Sequence, residues 1–470
     1  MIIYSKFITV FAAIVLLLAL SACNNESADD KEKIMDTLET SDFSEFAVKH
    51  VDWIKSANIY EVNIRQYTKS GTIKDFEKHL PKLKELGVDI LWIMPIQPIG
   101  EKNRKGGLGS GYSIMDYEKV NSDFGTMDDF KALVAKIHEM DMYVILDWVA
   151  NHTAWDNKWA TEHPEFYTKD SLGNFMSPKD TDWSDVMDLN YDNQELRKEM
   201  TDALKFWVEE TDIDGYRCDM AGMVPVDFWN NARKELDAIK PVFMLAEWES
   251  TDMHFKAFDM SYSWEFHHLM NHVAKGERTV KDIDAYFEKD VLKYPANAIR
   301  MYFTTNHDEN AWQKTVYERL GDARKTMAVL IATIPGMPLI YSGQEAGLSH
   351  SLKFFEKDEI DWESGEDLRL FYKTLLNLKK EHPALWNGDQ GGNMNRIKTS
   401  NDEKIFAFSR EKGDDLIYMV FNLSKDVQKV KLEIELNDVA YKDIFSENVL
   451  SIDEFEMQAW EYRVCVKRKK

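Results

Sequence analysis

Four apolar runs in this 470-residue chain end in ionisable groups. FMLAEWE breaks at Glu247, YVILDW at Asp147, GYRCDM at Asp219, and MYFTTNHD at His307 and Asp308. Grouped carboxylates repel and desolvate one another, so a purely structural protein gains little by assembling them. Their chemical use is that surroundings can split their proton affinities, leaving one ionised and another protonated near neutral pH. Arg217 stands two residues before Asp219, on the same strand face, where a cation would hold Asp219 as a nucleophilic anion. Glu247 follows an apolar run and adjoins Trp248, the drier setting expected of a proton donor. A nucleophilic carboxylate facing an acid about 5 Å away is equipped for displacement at an anomeric carbon with retention.

Positioning these groups is the task of eight β-rich runs: IYEVNIRQY, DILWIMP, YVILDWV, GYRCDM, FMLAEW, AFDMSYSW, MYFTTNHD and PLIYSGQE. Helical patterns lie between most of them. In TIKDFEKHLPKLKELG, Ile73, Phe76, Leu80, Leu83 and Leu86 mark one face; Thr72 with Asp75 opens the helix, Gly87 closes it, and Pro81 is expected to kink it. TMDDFKALVAKIHEM repeats the logic from Thr126 and Asp129. Runs apolar on both faces and alternating with helices predict an α/β fold with a parallel sheet, and eight of them a closed (β/α)8 TIM barrel over residues 48–150 and 193–386. Strands three, four, five and seven then deliver Asp147, Asp219, Glu247 and Asp308 to one mouth. Residues 151–192, rich in Trp, His, Pro, Asp and Gly, predict an inserted subdomain after strand three. Unit five is short, with barely a helical turn between Trp248 and Ala257. From 387 to 470, KIFAFSR, DLIYMVFNL, VKLEIEL (Val430 to Leu436) and WEYRVCVK alternate with period two and predict an antiparallel β-sandwich.

Lys and Arg total 58 against 82 acids, a net charge of -24, which repels a phosphate backbone and argues against nucleic acid as a partner. Zinc-type Cys/His spacing, a phosphate-binding Gly loop and G-x-S-x-G are missing from the sequence, against metalloprotease, nucleotide and serine-hydrolase chemistry. Lys6 precedes FITVFAAIVLLLAL, an export signal in pattern, closing on Leu20-Ser21-Ala22-Cys23. That ending resembles a bacterial lipoprotein box, which implies cleavage after residue 22, lipid on Cys23, a membrane contact only through that anchor, and an outer-membrane address. Residues 23–47 begin NNESADDKEK and are expected to be a polar tether. Only Cys218 and Cys465 remain, so no disulfide framework is expected.

DWVANH (147–152), MDLN (187–190), GYRCDMAG (215–222), AEW (246–248) and TTNHDEN (304–310) occur in an order that resembles the α-amylase family, glycoside hydrolase family 13, over nearly all of the mature chain. LGSGYSIMDYEKVNSDFGT looks like the family's segment after strand two. The resemblance implies a barrel with an inserted domain B and a β-domain C. It implies Asp219 as nucleophile, Glu247 as general acid/base and Asp308 as the third acid, gripping sugar hydroxyls. Arg217 would orient Asp219, and Asp147 would support Arg217. His152 and His307 would bond the reacting sugar's hydroxyls, and Tyr112 would stack on its ring. The chemistry requires no cofactor; Asn151 and Asp188 match positions that hold a structural calcium in many members. Gly222 and Met223 stand where many members have Lys and His, which opens the question of contacts on the leaving-group side.

The activity these residues imply is hydrolysis of α-1,4 bonds in starch-like α-glucans or maltooligosaccharides. Transglycosylation or isomerisation through the same glycosyl-enzyme is the nearest alternative. A catalytically inactive surface glucan-binding protein is the alternative from another class, and three acids with Arg217 and both histidines weigh against it.

Overall fold

Eight parallel strands close into a barrel: β1 (Ile59–Val62), β2 (Ile90–Ile93), β3 (Tyr143–Val149), β4 (Gly215–Asp219), β5 (Phe243–Ala246), β6 (Met260–Tyr262), β7 (Ile299–Phe303) and β8 (Met337–Tyr341). Each pairs with its sequence neighbours, and β8 pairs with β1. This computed structural model describes residues 48–435, 440–446, 448–450 and 454–467. The expected signal, tether and Cys23 lie outside the described residues.

Alternation along the strands decides what the barrel holds. Ile59, Ile90, Ile145, Phe243, Met260, Ile299 and Met337 pack together inside as an apolar floor, with Val51 and Ile54 beneath them. Tyr60, Leu91, Leu146, Tyr216 and Met244, one residue on, face out and pack against the helices. One further step returns the chain to the interior with Glu61, Trp92, Asp147 and Arg217, all fully buried. Register sets Glu61 beside Trp92 and Asp147 beside Arg217. A polar layer therefore lies directly on the apolar floor, and the carboxyl ends of β4 and β5 open above it.

Local signals act as their chemistry dictates. Thr72 accepts from the Asp75 N–H at 3.3 Å, and Gly87 ends the segment at φ 101°, a left-handed conformation that only glycine adopts cheaply. Pro81 does not kink one helix. Two helices form, Ile73–Glu77 and Leu80–Leu86, and Pro81 sits in the first turn of the second, where its missing N–H costs nothing. Thr126 and Asp129 make a reciprocal capping box. Between β5 and β6 there is only the 3-10 turn Thr251–His254.

The segment after β3 carries an antiparallel pair, His152–Ala154 with Val186–Asp188, and a short helix Trp159–Glu162, before the long helix Gln194–Thr211 returns to β4. Beyond the barrel come β9 (Asn393–Ile397), β10 (Ile405–Lys412), β11 (Asp415–Asn422), β12 (Gln428–Val430), β13 (Tyr441–Asp443), β14 (Phe455–Met457) and β15 (Tyr462–Lys467). The order β9-β10-β11-β15-β13 forms one antiparallel sheet, and β12 pairs with β14. Ile405, Ala407, Val420, Val430 and Met457 share a core there. Of the strand expected over residues 430–436, the last residue lies outside the described residues; β12 ends at Val430, and an isolated bridge follows from Leu432 to Thr399. Arg410, fully buried on β10, ties this domain to the barrel by donating to the Thr333 and Ile334 carbonyls, each at 3.2 Å.

Candidate active site

Arg217 is the hub of the polar layer. Its Nη1 donates to Asp147 Oδ1 at 2.9 Å and to Asp219 Oδ1 at 3.0 Å, its Nε donates to the Tyr262 hydroxyl at 3.3 Å, and its Nη2 lies 2.8 Å from Glu247 Oε1. The Nη2 approach is an ion-pair contact without a directed N–H, since that nitrogen makes no hydrogen bond of acceptable geometry among the described residues. The guanidinium also lies 4.9 Å from the centre of the Trp92 ring. Asp147 completes the support, accepting from Trp92 Nε1 and from the Tyr112 hydroxyl, both at 3.0 Å. One cation therefore holds Asp219 and Glu247 side by side.

Their settings differ from expectation in dryness and in proton affinity. Glu247 is not the drier acid: it and Asp219 are each 6% exposed, and Arg217 faces both. Burial raises both proton affinities above the ordinary carboxylate range. Asp219 is pushed further, because Glu247 and Asp147 add repulsion that Arg217 only partly offsets. Each of the two carboxyls raises the other's proton affinity, because ionising one makes ionising its neighbour harder. Hydrogen bonding separates their free oxygens. Glu247 Oε2 accepts the Met220 N–H at 2.8 Å, and Met220 holds the left-handed φ of 42° to present it. Asp219 Oδ2 receives no donor among the described residues and lines the cleft.

Asp308 does not end strand seven. β7 stops at Phe303, and Asp308 is the second residue of the helix His307–Trp312, capped by Asn306, whose side chain accepts the Glu309 N–H at 2.7 Å. That extra turn lifts Asp308 to the cleft wall, where its side chain is 35% exposed. Burial would raise its proton affinity, but His307, with Nε2 3.2 Å away, outweighs that and holds the carboxyl below its ordinary value. Asp147 likewise does not reach the mouth; it lies in the layer beneath, fully buried.

The acids open into a cleft of about 640 Å³ lined by Tyr112, His152, Trp183, Asp219, Glu247, Asp308, Trp312, Phe354 and Phe355, among others. His152 begins the first strand of the insert, and burial lowers its pKa to about 4, so it meets the cleft as a neutral imidazole. Tyr112 stacks on His307 with ring centres 5.4 Å apart and hydrogen-bonds its Nε2 at 2.9 Å. The loop carrying Glu247 is tied down two residues later, where Glu249 pairs with Arg300 of β7 and accepts the Glu265 N–H at 2.8 Å.

Asn151 and Asp188 lie near each other. The Leu189 N–H donates to the Asn151 carbonyl at 3.1 Å, and Asp188 stands opposite His152 across the short sheet. Calcium takes six to eight oxygens. Asn151 and Asp188 offer one carboxamide and one carboxylate, and among the described residues no group of three or more His, Cys, Asp or Glu side chains is placed to hold a metal ion. A Cβ on Gly222 would stand 2.0 Å from the Trp248 ring, so that indole fills the space a longer residue 222 would need.

Sequence reasoning missed Glu61, Trp92 and Tyr262, all turned into the polar layer. Glu61 gave the same signal as the other acids, a carboxylate inside an apolar run. Phe354 and Phe355, in the loop after β8, carry no periodicity that would reveal them.

A barrel whose strand ends gather a carboxylate pair on one arginine, with a third acid across a saccharide-sized cleft, defines a glycosidase. The model of the α-amylase catalytic domain matches residues 55–416, and that of the α-amylase C-terminal all-beta domain matches residues 397–468. The chain belongs to the α-amylase family. It is 27% identical over 463 residues to alpha-amylase 3 of Dictyoglomus thermophilum, with 83% of this chain and 89% of that protein covered. Among solved structures it resembles a noncanonic maltogenic alpha-amylase, AmyB, of Thermotoga neapolitana (TM-score 0.80, 32% identity, 89% of this chain and 100% of that one). An alpha-amylase from Lactobacillus plantarum is similar at TM-score 0.80 and 30% identity, covering 88% and 99%.

Proposed function

We propose that this glycosidase hydrolyses α-1,4-glucosidic bonds of starch-like glucans or maltooligosaccharides with retention, through a covalent glycosyl-enzyme on Asp219. The observation that carries the reading is the shared Arg217, in contact with Asp219 at 3.0 Å and Glu247 at 2.8 Å beneath one cleft. In the reactive form Glu247 carries the proton and Asp219 is ionised: the unbonded Oδ2 of Asp219 attacks the anomeric carbon while Glu247 gives its proton to the departing glycosidic oxygen, and the C–O bond breaks. Glu247, now the base, takes a proton from water; the water oxygen bonds to the anomeric carbon and Asp219 leaves as carboxylate. Asp308, Tyr112, His152 and His307 line the same space and would bond or stack on the reacting sugar. Trp183, Trp312, Phe354 and Phe355 give the cleft flat apolar walls of the kind sugar faces pack against. The names of its relatives support an α-glucan substrate.

Asp219→Asn and Glu247→Gln should each lower turnover on amylose by roughly 10³-fold or more while circular dichroism stays parental. Near-parental turnover in either variant rejects its role. Chromatography of products from amylose, pullulan and short maltooligosaccharides separates hydrolysis from transfer: longer chains or an isomerised disaccharide, without new reducing ends, would replace the hydrolytic reading. We also propose that Cys23 carries a lipid anchor, on the strength of Leu20-Ser21-Ala22-Cys23 alone. Mass spectrometry of the exported protein showing an unmodified Cys23 would overturn that.

A further inference from the structure

Glu61 is a carboxylate the reaction does not use, fully buried on β1 in the polar layer. Its Oε1 lies 2.5 Å from His307 Nδ1, and its Oε2 has no hydrogen-bond partner among the described residues. The other side of the imidazole settles the direction of the protons. The Tyr112 hydroxyl has one hydrogen, which it donates to Asp147 Oδ2 at 3.0 Å, so at its 2.9 Å contact with His307 Nε2 the tyrosine oxygen accepts. Asp308 Oδ2, 3.2 Å from the same nitrogen, is a second acceptor. Nε2 therefore carries a hydrogen, and a carboxylate at Nδ1 calls for a second.

We propose that Glu61 is a positioning residue which holds His307 as a doubly protonated imidazolium, so that its Nε2–H keeps Asp308 ionised and turned toward the substrate. The inference rests on the catalytic reading above and adds a residue to it. Other groups bear on this relay from the surrounding elements: Arg217 on β4, Glu247 after β5, Tyr262 on β6 and Tyr341 on β8. Trp92 closes the side of the imidazole edge-on at 5.8 Å. Burial alone would favour neutral His307; Asp308 and Glu61 together overcome it and raise its pKa well above the usual value. A raised histidine is charged below its folded pKa and loses its proton as pH climbs through it, so weakening Glu61 must bring that loss to lower pH.

The test is the isosteric Glu61→Gln, with histidine-labelled protein followed by NMR and kcat/KM on maltooligosaccharides measured across pH. His307 is assigned from the signal missing in His307→Gln. In the parent, His307 should be doubly protonated at pH 7, an observation that needs no Glu61 variant to fold. In Glu61→Gln its midpoint should fall by at least about one pH unit and the alkaline limb of kcat/KM should move down with it, the variant losing roughly tenfold from its own plateau about one pH unit above the new midpoint. In a His307→Gln background the same change should leave the limb where it is. A neutral His307 in the parent at pH 7, or an unmoved midpoint in a folded Glu61→Gln, overturns the inference. Asp219→Asn in the same assay separates the two claims: retained activity there sinks the catalytic reading, whereas an inactive Asp219→Asn beside an unmoved His307 sinks only the role of Glu61.

Discussion

Arg217→Met removes the cation that stands 2.9 Å from Asp147, 3.0 Å from Asp219 and 2.8 Å from Glu247. Methionine keeps much of the volume, so the perturbation is electrostatic. Stripping one partner from a buried ion pair costs about 3–5 kcal/mol, because the charge left behind has neither water nor counter-ion. Asp219 and Glu247 are already raised by burial, and losing Arg217, which lowers both, raises them further. A carboxyl with a folded pKa above its unfolded one contributes stability below the unfolded pKa and loses it as pH rises through the folded pKa. The deficit of the variant must therefore grow with pH. If the folded variant holds one additional proton relative to the parent between pH 5 and 7, the deficit changes by about 1.4 kcal/mol per pH unit, or about 3 kcal/mol across that interval. Urea unfolding of parent and variant at both pH values reads this directly. The expected result is a loss of about 3–5 kcal/mol at pH 7 that largely disappears at pH 5. Parent-like stability at pH 7, or a deficit equal at both pH values, refutes the reasoning.

Gly222→Ala places a Cβ 2.0 Å from the Trp248 ring, so the indole beside Glu247 must shift. Overpacking of this kind costs about 1–3 kcal/mol, and both the unfolding midpoint and kcat should fall; unchanged values would show that Trp248 yields freely. Trp312, 55% exposed on the cleft wall, offers a stacking face worth about 1 kcal/mol to a sugar. Trp312→Ala should raise KM for maltooligosaccharides about fivefold with kcat nearly parental, and an unchanged KM removes it from the binding surface.

The barrel was legible because strands buried on both faces keep a local signature, and alternation alone turns Asp147, Arg217 and Asp219 to one side. Caps at Thr72 and Thr126 were equally local. What escaped depends on three-dimensional placement. Asp308 looked like a strand end because TTNHD continues the run, yet Asn306 caps a helix there and carries the acid a turn further. The relative dryness of Glu247 could not be read from its neighbours, because Arg217 reaches across from β4 to pair with it. Glu61 was visible as an acid within IYEV, but its partner, His307, lies 246 residues away. Strand β12 stops at Val430, short of the alternating pattern, and Leu432 bridges to Thr399 instead.

The most direct test is to catch the intermediate. Glu247→Gln, given an α-maltosyl fluoride whose leaving group needs no proton, should be glycosylated faster than it can release the sugar, because no base remains to activate water. Peptide mass spectrometry should then find one maltosyl unit on Asp219. A sugar on any other residue, or an unmodified protein releasing a product of inverted configuration, would contradict the account.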